Sequence, residues 1–395
     1  MGRCLLWASL PRPDAICRCG AFFLSGTLAI LNLMMGLYAQ WLDSWERKLA
    51  TRDTNRVVRP FEWGTEWLER IGFPAFPGDR GGTNGSATAG ERPEIADRHH
   101  LPAYIAAFAA DAIRNSDRFF SYEPVPRYEL RDGRLTFPSA SPSGCTENDT
   151  VQALWFPARR DRGRVLVVLP QWNHDEGAHV GLAQLLNRFG ISALRMTMSY
   201  HAGRKPPETA RADYAVSSNI GRTIHASRQS VVDARCCIDW LASQGYERIG
   251  ILGTSLGSCI AFITAAHDTR IRVGVFNHVS MYFSDVVWTG LSTQFVRRSF
   301  ADQVSQDELR RFWSPISPAS YLDRLKGREM RSLLIWARHD TSFLPVYSKQ
   351  VLDSFRKLDL PHQVYCLPCG HYTTGRFPFK FMDGLAMCRF AGRVL

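Results

Sequence analysis

The stretch that decides the fold is Ile249-Gly250-Ile251-Leu252-Gly253-Thr254-Ser255-Leu256-Gly257. Its first four residues are typical of a buried strand, and the apolar run 258–266 that follows is typical of a helix. Between them lies a Gly-x-Ser-x-Gly pentapeptide. A serine on such a tight turn is held in a strained backbone conformation with its hydroxyl turned outward, and the flanking glycines leave room for neighbouring chain. The pattern predicts that Ser255 is a nucleophile.

Strand and helix patterns alternate on both sides of this turn. Predicted strands lie at 165–169, 192–196, 273–276, 333–336 and 363–366, and predicted helices at 179–189 and 223–245. Ahead of them, a helix is predicted from about Pro102 to Arg118. After it, 128–130 and 135–137 flank Asp132-Gly133, a hairpin signal, and 152–156 forms a third predicted strand. Antiparallel strands followed by strand–helix units predict an α/β fold with a mostly parallel central sheet, flanking helices and an antiparallel N-terminal edge.

A serine hydroxyl needs a histidine to accept its proton and an acid to orient that histidine. Asp340 follows the strand 333–336, and His371 follows the last predicted strand in Pro-Cys-Gly-His. No histidine occurs later in the chain. Asp340 and His371 are therefore the predicted acid and base.

Other residues could fill these roles. Asp285 lies after the strand that ends at Phe276, at a second position where an acid could reach the histidine. His278 and His339 also follow predicted strands. We prefer Asp340 and His371 because both follow predicted strands and come after Ser255 in the order nucleophile, acid, histidine, which is the order in the alpha/beta-hydrolase superfamily that this sequence resembles.

In this order of motifs the sequence resembles the alpha/beta-hydrolase superfamily over roughly residues 128–395. The resemblance implies the alpha/beta-hydrolase fold and a serine hydrolase that cleaves an ester, thioester or amide through an acyl-enzyme on Ser255. Acyl transfer to an alcohol by the same triad is the nearest alternative. A non-catalytic binding protein that has kept the fold is a third.

An oxyanion site needs two backbone donors. The amide of Leu256, at the start of a helix, predicts one of them. The resemblance places the second in the loop after strand 165–169, where this chain has Gln171 or Trp172 instead of the usual His-Gly pair. Asn173 or His174 in the same loop could contact substrate instead.

A second, fainter resemblance concerns Tyr200-His201-Ala202-Gly203-Arg204-Lys205-Pro206-Pro207. It is similar to a loop in a divergent branch of the superfamily, alpha/beta hydrolase domain protein eighteen and its bacterial relatives. The resemblance implies that Arg204 and Lys205 border the site and hold a phosphate or carboxylate. A solvated basic loop fits the same residues.

An aromatic-rich insertion at about 280–325 precedes the acid strand. An insertion here would form a helical lid over the pocket, and its apolar residues would suit a small-molecule or lipid-like acyl substrate. The same residues could equally be the packed underside of the lid helices. Nothing in the insertion indicates an oligomeric state.

Composition argues against several other classes. The formal net charge is +11, but the basic residues are dispersed and no nucleic-acid-binding signature is present, so no nucleic-acid partner is expected. Cys366-Leu367-Pro368-Cys369 joins a strand to a loop instead of opening a helix, and no second ligand pair with customary spacing accompanies it. No metal and no cofactor is therefore predicted.

The N-terminal part divides into two predicted regions. Residues 19–42 carry no charge, which suits a membrane anchor, an overextended start with true initiation near Met34 or Met35, or a buried helix or signal peptide. The protein would be membrane-associated in the first case and cytoplasmic in the second. We predict this segment at 1–42, a helical extension with a flexible loop at 78–90 over 43–120, and the hydrolase domain over 121–395.

Overall fold

The computed structural model describes residues 34–51, 57–72, 100–160, 162–300 and 303–395. Within these ranges the strands are β1 (Glu129–Arg131), β2 (Arg134–Pro138), β3 (Thr150–Phe156), β4 (Arg164–Leu169), β5 (Ser192–Met196), β6 (Arg248–Thr254), β7 (Ile271–Asn277), β8 (Arg331–Ala337) and β9 (His362–Leu367). They form one sheet in the order β1-β2-β3-β5-β4-β6-β7-β8-β9.

The direction of pairing changes once across this sheet. The pairs from β1 to β5 are antiparallel, and every pair from β5 to β9 is parallel. The β1–β2 hairpin turns at Asp132 and Gly133, both with positive φ, as a two-residue turn requires. The predicted parallel sheet with an antiparallel N-terminal edge is confirmed.

Helices cover both faces of the sheet. They are α1 (34–50), α2 (Thr65–Arg70), α3 (Leu101–Arg114), α4 (Ser116–Phe119), α5 (Thr146–Asp149), α6 (Val180–Arg188), α7 (Ile220–Ser243), α8 (Leu256–His267), α9 (Phe283–Thr289), α10 (Gln294–Phe300), α11 (Gln306–Phe312), α12 (Pro345–Lys357) and α13 (Phe379–Val394). Along β4, Val165 and Val167 face the core formed with α7 and α8, and Leu166 and Val168 face the core formed with α6 and α13. This alternation buries the strand on both faces, which explains its continuous apolar sequence.

One predicted helix is interrupted. The pattern from Pro102 to Arg118 predicts a single helix, but α3 ends at Arg114 and α4 begins at Ser116. Asn115 between them leaves the helical conformation, and its side-chain amide donates to the Asp111 carboxylate at 3.0 Å. An asparagine that binds the preceding turn in this way ends a helix readily.

The predicted lid residues form α9, α10, α11 and the short 3-10 helices Leu291–Thr293, Ser314–Ile316 and Pro318–Leu325. At the N-terminus, α1 begins at the first residue described, so most of the apolar stretch 19–42 and all of the loop 78–90 lie outside the described residues. Among the residues that are described, no helix combines the length and apolar character needed to cross a membrane.

Candidate active site

Ser255 occupies a sharp turn between β6 and α8. Its backbone has φ 56° and ψ −122°, a region that non-glycine residues rarely adopt. A Cβ on Gly253 would lie 2.1 Å from the carbonyl oxygen of Gly257, and a Cβ on Gly257 would lie 2.3 Å from those of Leu169 and Pro170. Neither position could therefore hold a larger residue without moving the backbone, and this turn is built around its two glycines.

Three side chains meet at this turn. Ser255 Oγ lies 3.2 Å from His371 Nε2. His371 Nδ1 lies 3.1 Å from Asp340 Oδ2. The Asp340 and His371 loops follow the neighbouring parallel strands β8 and β9, and parallel strands end at the same edge of a sheet, where the turn after β6 also lies. The structure thus brings together the three residues that the sequence predicts as nucleophile, acid and base.

The carboxylate of Asp340 is fixed by its own loop. Its other oxygen, Oδ1, accepts hydrogen bonds from the backbone amides of Ser342 at 2.8 Å and Phe343 at 2.7 Å. Asp340 is 3% exposed. A buried carboxylate with two backbone donors keeps one orientation, so the oxygen that faces His371 is held in place.

The electrostatics of the pair favour a charged histidine. Burial alone would lower the pKa of His371, but the negative charges of Asp340 and then of Glu46 outweigh it and raise that pKa above its ordinary value. Burial alone would raise the pKa of Asp340, yet the charge of His371, the contact with His371 and the adjacent His278 ring hold it well below its usual range. His371 can therefore accept a proton while Asp340 stays ionised.

His278 is a second histidine beside Asp340. Its Nδ1 lies 2.8 Å from Asp340 Oδ2, and its Nε2 lies 3.3 Å from Thr374 Oγ1. Burial lowers the pKa of His278 and so favours the neutral ring, although the neighbouring Asp340 opposes this shift. The nitrogen and oxygen atoms of His278, Asp340 and His371 lie within 4.8 Å of one another, as metal ligands could. A carboxylate shared by two histidines explains the same spacing, and we assign no metal here.

The rival acid and base residues are engaged elsewhere. Asp285 lies in α9 and binds Arg310 at 2.8 Å and Gln306 at 3.2 Å, so its carboxylate is neutralised within the lid. The ring of His339 packs edge-on against Tyr38 of α1 at 5.8 Å. Neither residue lies among those that line the cavity at Ser255.

The predicted oxyanion residues lie at the same cavity. Leu256, Gln171 and Trp172 all line it together with Ser255. The loop that carries Gln171 and Trp172 is anchored by its neighbours: Trp172 Nε1 donates to Ala212 O at 3.0 Å, and Asn173 Oδ1 accepts from Ala212 N at 3.2 Å. Asn173 also lines the cavity, as a substrate-contacting residue would.

His174 does not reach the cavity. It is 4% exposed, its ring stacks on His201 at 4.6 Å, and Arg195 Nη2 lies 3.0 Å from its Nδ1. Burial and the charges of neighbouring basic groups lower its pKa well below the usual value. The prediction that His174 contacts substrate is therefore not supported by its position in the interior.

Arg204 and Lys205 also differ from the prediction that they border the site. Arg204 is fully buried and pairs with Asp233 at 2.8 Å, and its guanidinium donates to the carbonyl oxygens of Asn148 and Thr197. Lys205 Nζ is exposed and donates to Ala210 O at 2.8 Å. Both are absent from the cavity lining. Because Asp233 and two carbonyls already engage the Arg204 guanidinium, it holds a loop and not an anionic ligand.

The cavity at Ser255 has a volume of about 700 Å³. One part lies against Phe283, Val286 and Val287 of α9, within the insertion predicted to form a lid. Another part lies between α6 and α13, where the lining residues are mostly apolar and include Leu182, Leu185 and Met387. Ser255 is thus open to a largely apolar chamber that could hold a drug-sized molecule.

Three residues near the site were missed in the sequence. The ring of Phe343 stacks on His371 with centroids 5.4 Å apart. Asp383 of α13 lines the cavity, and burial raises its pKa to about 7. Glu46 is a fully buried acid on α1. Of the three, only Glu46 could have been found from the sequence. It lies four residues after Leu42 and three before Leu49, so helical spacing places it on an otherwise apolar face.

Comparisons with known proteins give similarity at the level of structure only. No family model matches the chain, and no curated protein matches its sequence. The chain is similar to the acetyl xylan esterase from Paenibacillus sp. R4, with a TM-score of 0.52 and 15% identity over 77% of this chain and 97% of that one. Acetyl Xylan Esterase 1 from Thermoanaerobacterium sp. JW/SL YS485 gives the same two values over 74% and 93%.

A third solved structure is the acylaminoacyl peptidase from Pyrococcus horikoshii. Its TM-score is 0.50 and its identity 14%, over 67% of this chain and 41% of that one. At identities this low, the structural similarity shows a shared fold, and it assigns no role to any residue of this chain.

Proposed function

We propose that this chain, which has the alpha/beta-hydrolase fold, is a serine hydrolase that cleaves a carboxylic ester, thioester or amide through an acyl-enzyme on Ser255. The observation that carries the proposal is the relay of contacts from Ser255 Oγ to His371 and from His371 to Asp340, at 3.2 and 3.1 Å. The relay opens onto an apolar cavity, and it fits the geometry of nucleophile, base and orienting acid.

In the first half of the reaction, His371 Nε2 takes the proton of Ser255 as Oγ attacks the carbonyl carbon of the substrate. The C=O π pair moves onto oxygen, and the amide of Leu256 with that of Gln171 or Trp172 would stabilise the negative charge. The tetrahedral intermediate then collapses, the bond to the leaving group breaks, and His371 returns its proton to that group.

In the second half, water replaces the leaving group. His371 takes a proton from water, hydroxide adds to the acyl carbon, and the bond to Ser255 Oγ breaks as the proton returns to that oxygen. Asp340 stays ionised throughout and stabilises the imidazolium that forms twice in the cycle. The net reaction adds one water to one acyl bond.

The lining of the cavity favours a small or lipid-like acyl substrate. Apolar residues from α6, α9 and α13 surround the space beside Ser255, and apolar groups gain about 25 cal/mol per Å² of surface that leaves water. We expect medium-length acyl esters to react faster than acetyl esters, because they would fill more of this volume.

Labelling with a fluorophosphonate tests the proposal directly. We expect the folded wild-type chain to become labelled on Ser255 and the Ser255→Ala variant to remain unlabelled. Ser292→Ala is the matched control, because Ser292 lines the same cavity and should leave labelling unchanged. Absence of labelling in the folded wild-type protein would overturn the proposal.

Turnover of an ester series then separates hydrolysis from acyl transfer. We expect the free acid as the main product in water. If a competing alcohol captured most of the acyl group at low concentration, the chain would be assigned as an acyltransferase with the same nucleophile.

A further inference from the structure

Helix α1 contributes one charged residue to the interior. Glu46 is 0% exposed, although it lies about 300 residues before the loops that carry Asp340 and His371. Burying a carboxylate is unfavourable by several kcal/mol unless hydrogen bonds replace its water. The position of this acid therefore depends on the groups that bind it.

Those groups come from both catalytic loops. Glu46 Oε2 accepts a hydrogen bond from Thr341 Oγ1 at 2.9 Å and another from the amide of Tyr372 at 3.0 Å. Glu46 Oε1 accepts from the amide of Thr373 at 2.7 Å. Thr341 directly follows Asp340, and Tyr372 directly follows His371. A single carboxylate thus joins the residue next to the acid to the residue next to the base.

The loop of His371 is shaped for this contact. A Cβ on Gly370 would lie 2.4 Å from Glu46 Cδ, so only glycine lets the loop approach so closely. Below this point two backbone hydrogen bonds join the segments that follow β8 and β9, from Arg338 N to Leu367 O and from His339 N to Cys369 O, both at 2.9 Å. The carboxylate of Glu46 supplies the next connection, nearer to the catalytic side chains.

We propose that Glu46 is a positioning residue, which holds the Asp340 and His371 loops at their working separation and makes α1 part of the active site. This inference rests on the proposed function. Polar or titratable side chains approach His371 from four other parts of the fold. They are Asp340 from the loop after β8, His278 from the end of β7, Ser255 from the turn after β6 and Glu46 from α1. Of these, Asp340 and Glu46 carry negative charge that favours the imidazolium.

Glu46→Gln tests the role of the carboxylate in the full chain. The amide keeps the shape but places an NH2 group where one oxygen accepts, so at least one hydrogen bond is lost along with the charge. With an ester substrate we expect kcat per active site to fall about tenfold with little change in KM, because the base is displaced and not the binding surface. The acidic limb of the pH profile of kcat/KM should move to lower pH, because removing a negative charge near His371 lowers the pKa of its imidazolium.

Asp43→Asn is the matched control. Asp43 lies one turn earlier on α1, is partly exposed and forms an ion pair with Arg47 at 2.8 Å, the one ion pair of its carboxylate among the described residues. The Asp43→Asn substitution also removes one negative charge from α1, and we expect wild-type kcat and an unchanged pH profile. Fluorophosphonate titration gives the fraction of active molecules, so that a loss of folded protein is not mistaken for a loss of rate.

Thr341→Val provides a second test that does not alter the charge. It removes one hydrogen bond to Glu46 and leaves both backbone bonds, so we expect kcat to fall about threefold with the acidic limb unmoved. This variant decides the question if Glu46→Gln does not fold.

The outcomes separate the two proposals. If Glu46→Gln keeps wild-type kcat per titrated site and a wild-type pH profile, the positioning role is wrong while the hydrolase proposal stands. If Glu46→Gln does not fold, wild-type kcat in Thr341→Val leads to the same conclusion. If the folded wild-type chain is neither labelled nor active, the proposed function is wrong and Glu46 has no reaction to support.

Discussion

The two sides of the proposed catalytic relay are built in different ways. The nucleophile corner, residues 252–258 with the loop 169–174, comes mainly from one contiguous strand–turn–helix whose glycines let it pack against the loop after β4. The acid–base corner, residues 337–343 and 370–374 with Glu46, is assembled from three separate parts of the chain. The first depends on local backbone geometry, and the second depends on long-range hydrogen bonds.

This difference predicts different sensitivities. A change of backbone space should damage the nucleophile corner even when no polar group is altered. A change of charge or of a hydrogen bond should damage the acid–base corner even when its shape is kept. Three substitutions in these corners and a fourth at Asp383, behind the nucleophile, follow in order of decreasing expected effect.

Asp340→Asn should have the largest effect. The amide keeps the volume of the carboxylate but cannot stabilise the imidazolium or hold His371 in the correct tautomer, so we expect kcat to fall about 10⁴-fold. Steady-state hydrolysis of an ester measures it. Asp285→Asn is the comparison: it leaves Arg310 without its buried partner and should lower the melting temperature more than the rate per active site. The reverse pattern would require Asp285 as the acid.

Gly257→Ala should come next, by a steric route. The added Cβ would lie 2.3 Å from the carbonyl oxygens of Leu169 and Pro170, so the first turn of α8 must move away from the loop that carries Gln171 and Trp172. We expect a loss of about 10³-fold in kcat, the size of a lost oxyanion donor. Gly36→Ala on α1, where nothing lies within 4 Å, should leave kcat unchanged. Full activity in Gly257→Ala would contradict the dependence of this corner on close backbone packing at its glycines.

Asp383 offers a pH-dependent test behind the nucleophile. Its carboxylate accepts from Asn277 Nδ2 at 2.9 Å, and Asn277 O accepts from the amide of Ser255. Burial raises the pKa of Asp383 from 3.8 to about 7, so folding favours its protonated form. The stability that this group contributes is therefore fully present below about pH 4. As pH rises from about 4 to 7, the unfolded chain loses this proton before the folded chain does, and the free energy of unfolding falls by at most about 4 kcal/mol.

Asp383→Asn removes that titration. We expect the free energy of unfolding of the variant to vary less between pH 4 and 7 than that of the wild type, and to exceed it at pH 8. Urea unfolding at several pH values measures the difference. Parallel pH curves for the two proteins would show that Asp383 does not titrate in this range.

Phe343→Leu should have the smallest effect and acts on the acid–base corner through packing. The ring stacks on His371 at an interplanar angle of 10°, and leucine keeps most of the apolar volume while losing the flat contact. We expect kcat to fall about two- to tenfold, with KM little changed. Phe377→Leu, at an exposed ring, is the control. Equal rates in both variants would show that the ring does not orient His371.

Prediction from sequence succeeded where neighbouring residues carry the information. The alternation of strands and helices, the hairpin at Asp132-Gly133 and the turn at Ser255 all follow from short stretches, and the fold class is confirmed. Asp340 and His371 were also found, because each follows a strand and strand ends meet at one sheet edge. Their catalytic roles stay predictions until they are tested by substitution.

Prediction was weaker where one residue type can serve two purposes. Tyr200–Pro207 suggested an anion-binding loop, but Asp233 of α7 neutralises Arg204 inside the fold. His174 likewise lies in the turn expected to contact substrate, yet it is buried against His201. A basic side chain in a loop has the same appearance in the sequence whether its partner is a ligand or a buried acid, and only distant residues decide between them.

The sequence by itself indicated the strand, the turn and the helix around Ser255, because an apolar strand pattern, a Gly-x-Ser-x-Gly turn and an apolar helix pattern follow one another within 249–266. Only the tertiary structure decided which groups surround His371. Glu46 lies 325 residues before it and binds the amide of the adjacent Tyr372, and His278 lies 93 residues before it with its ring 5.0 Å from that of His371. Such contacts depend on how the sheet brings its strand ends together, and local residue patterns carry little information about distances of that kind.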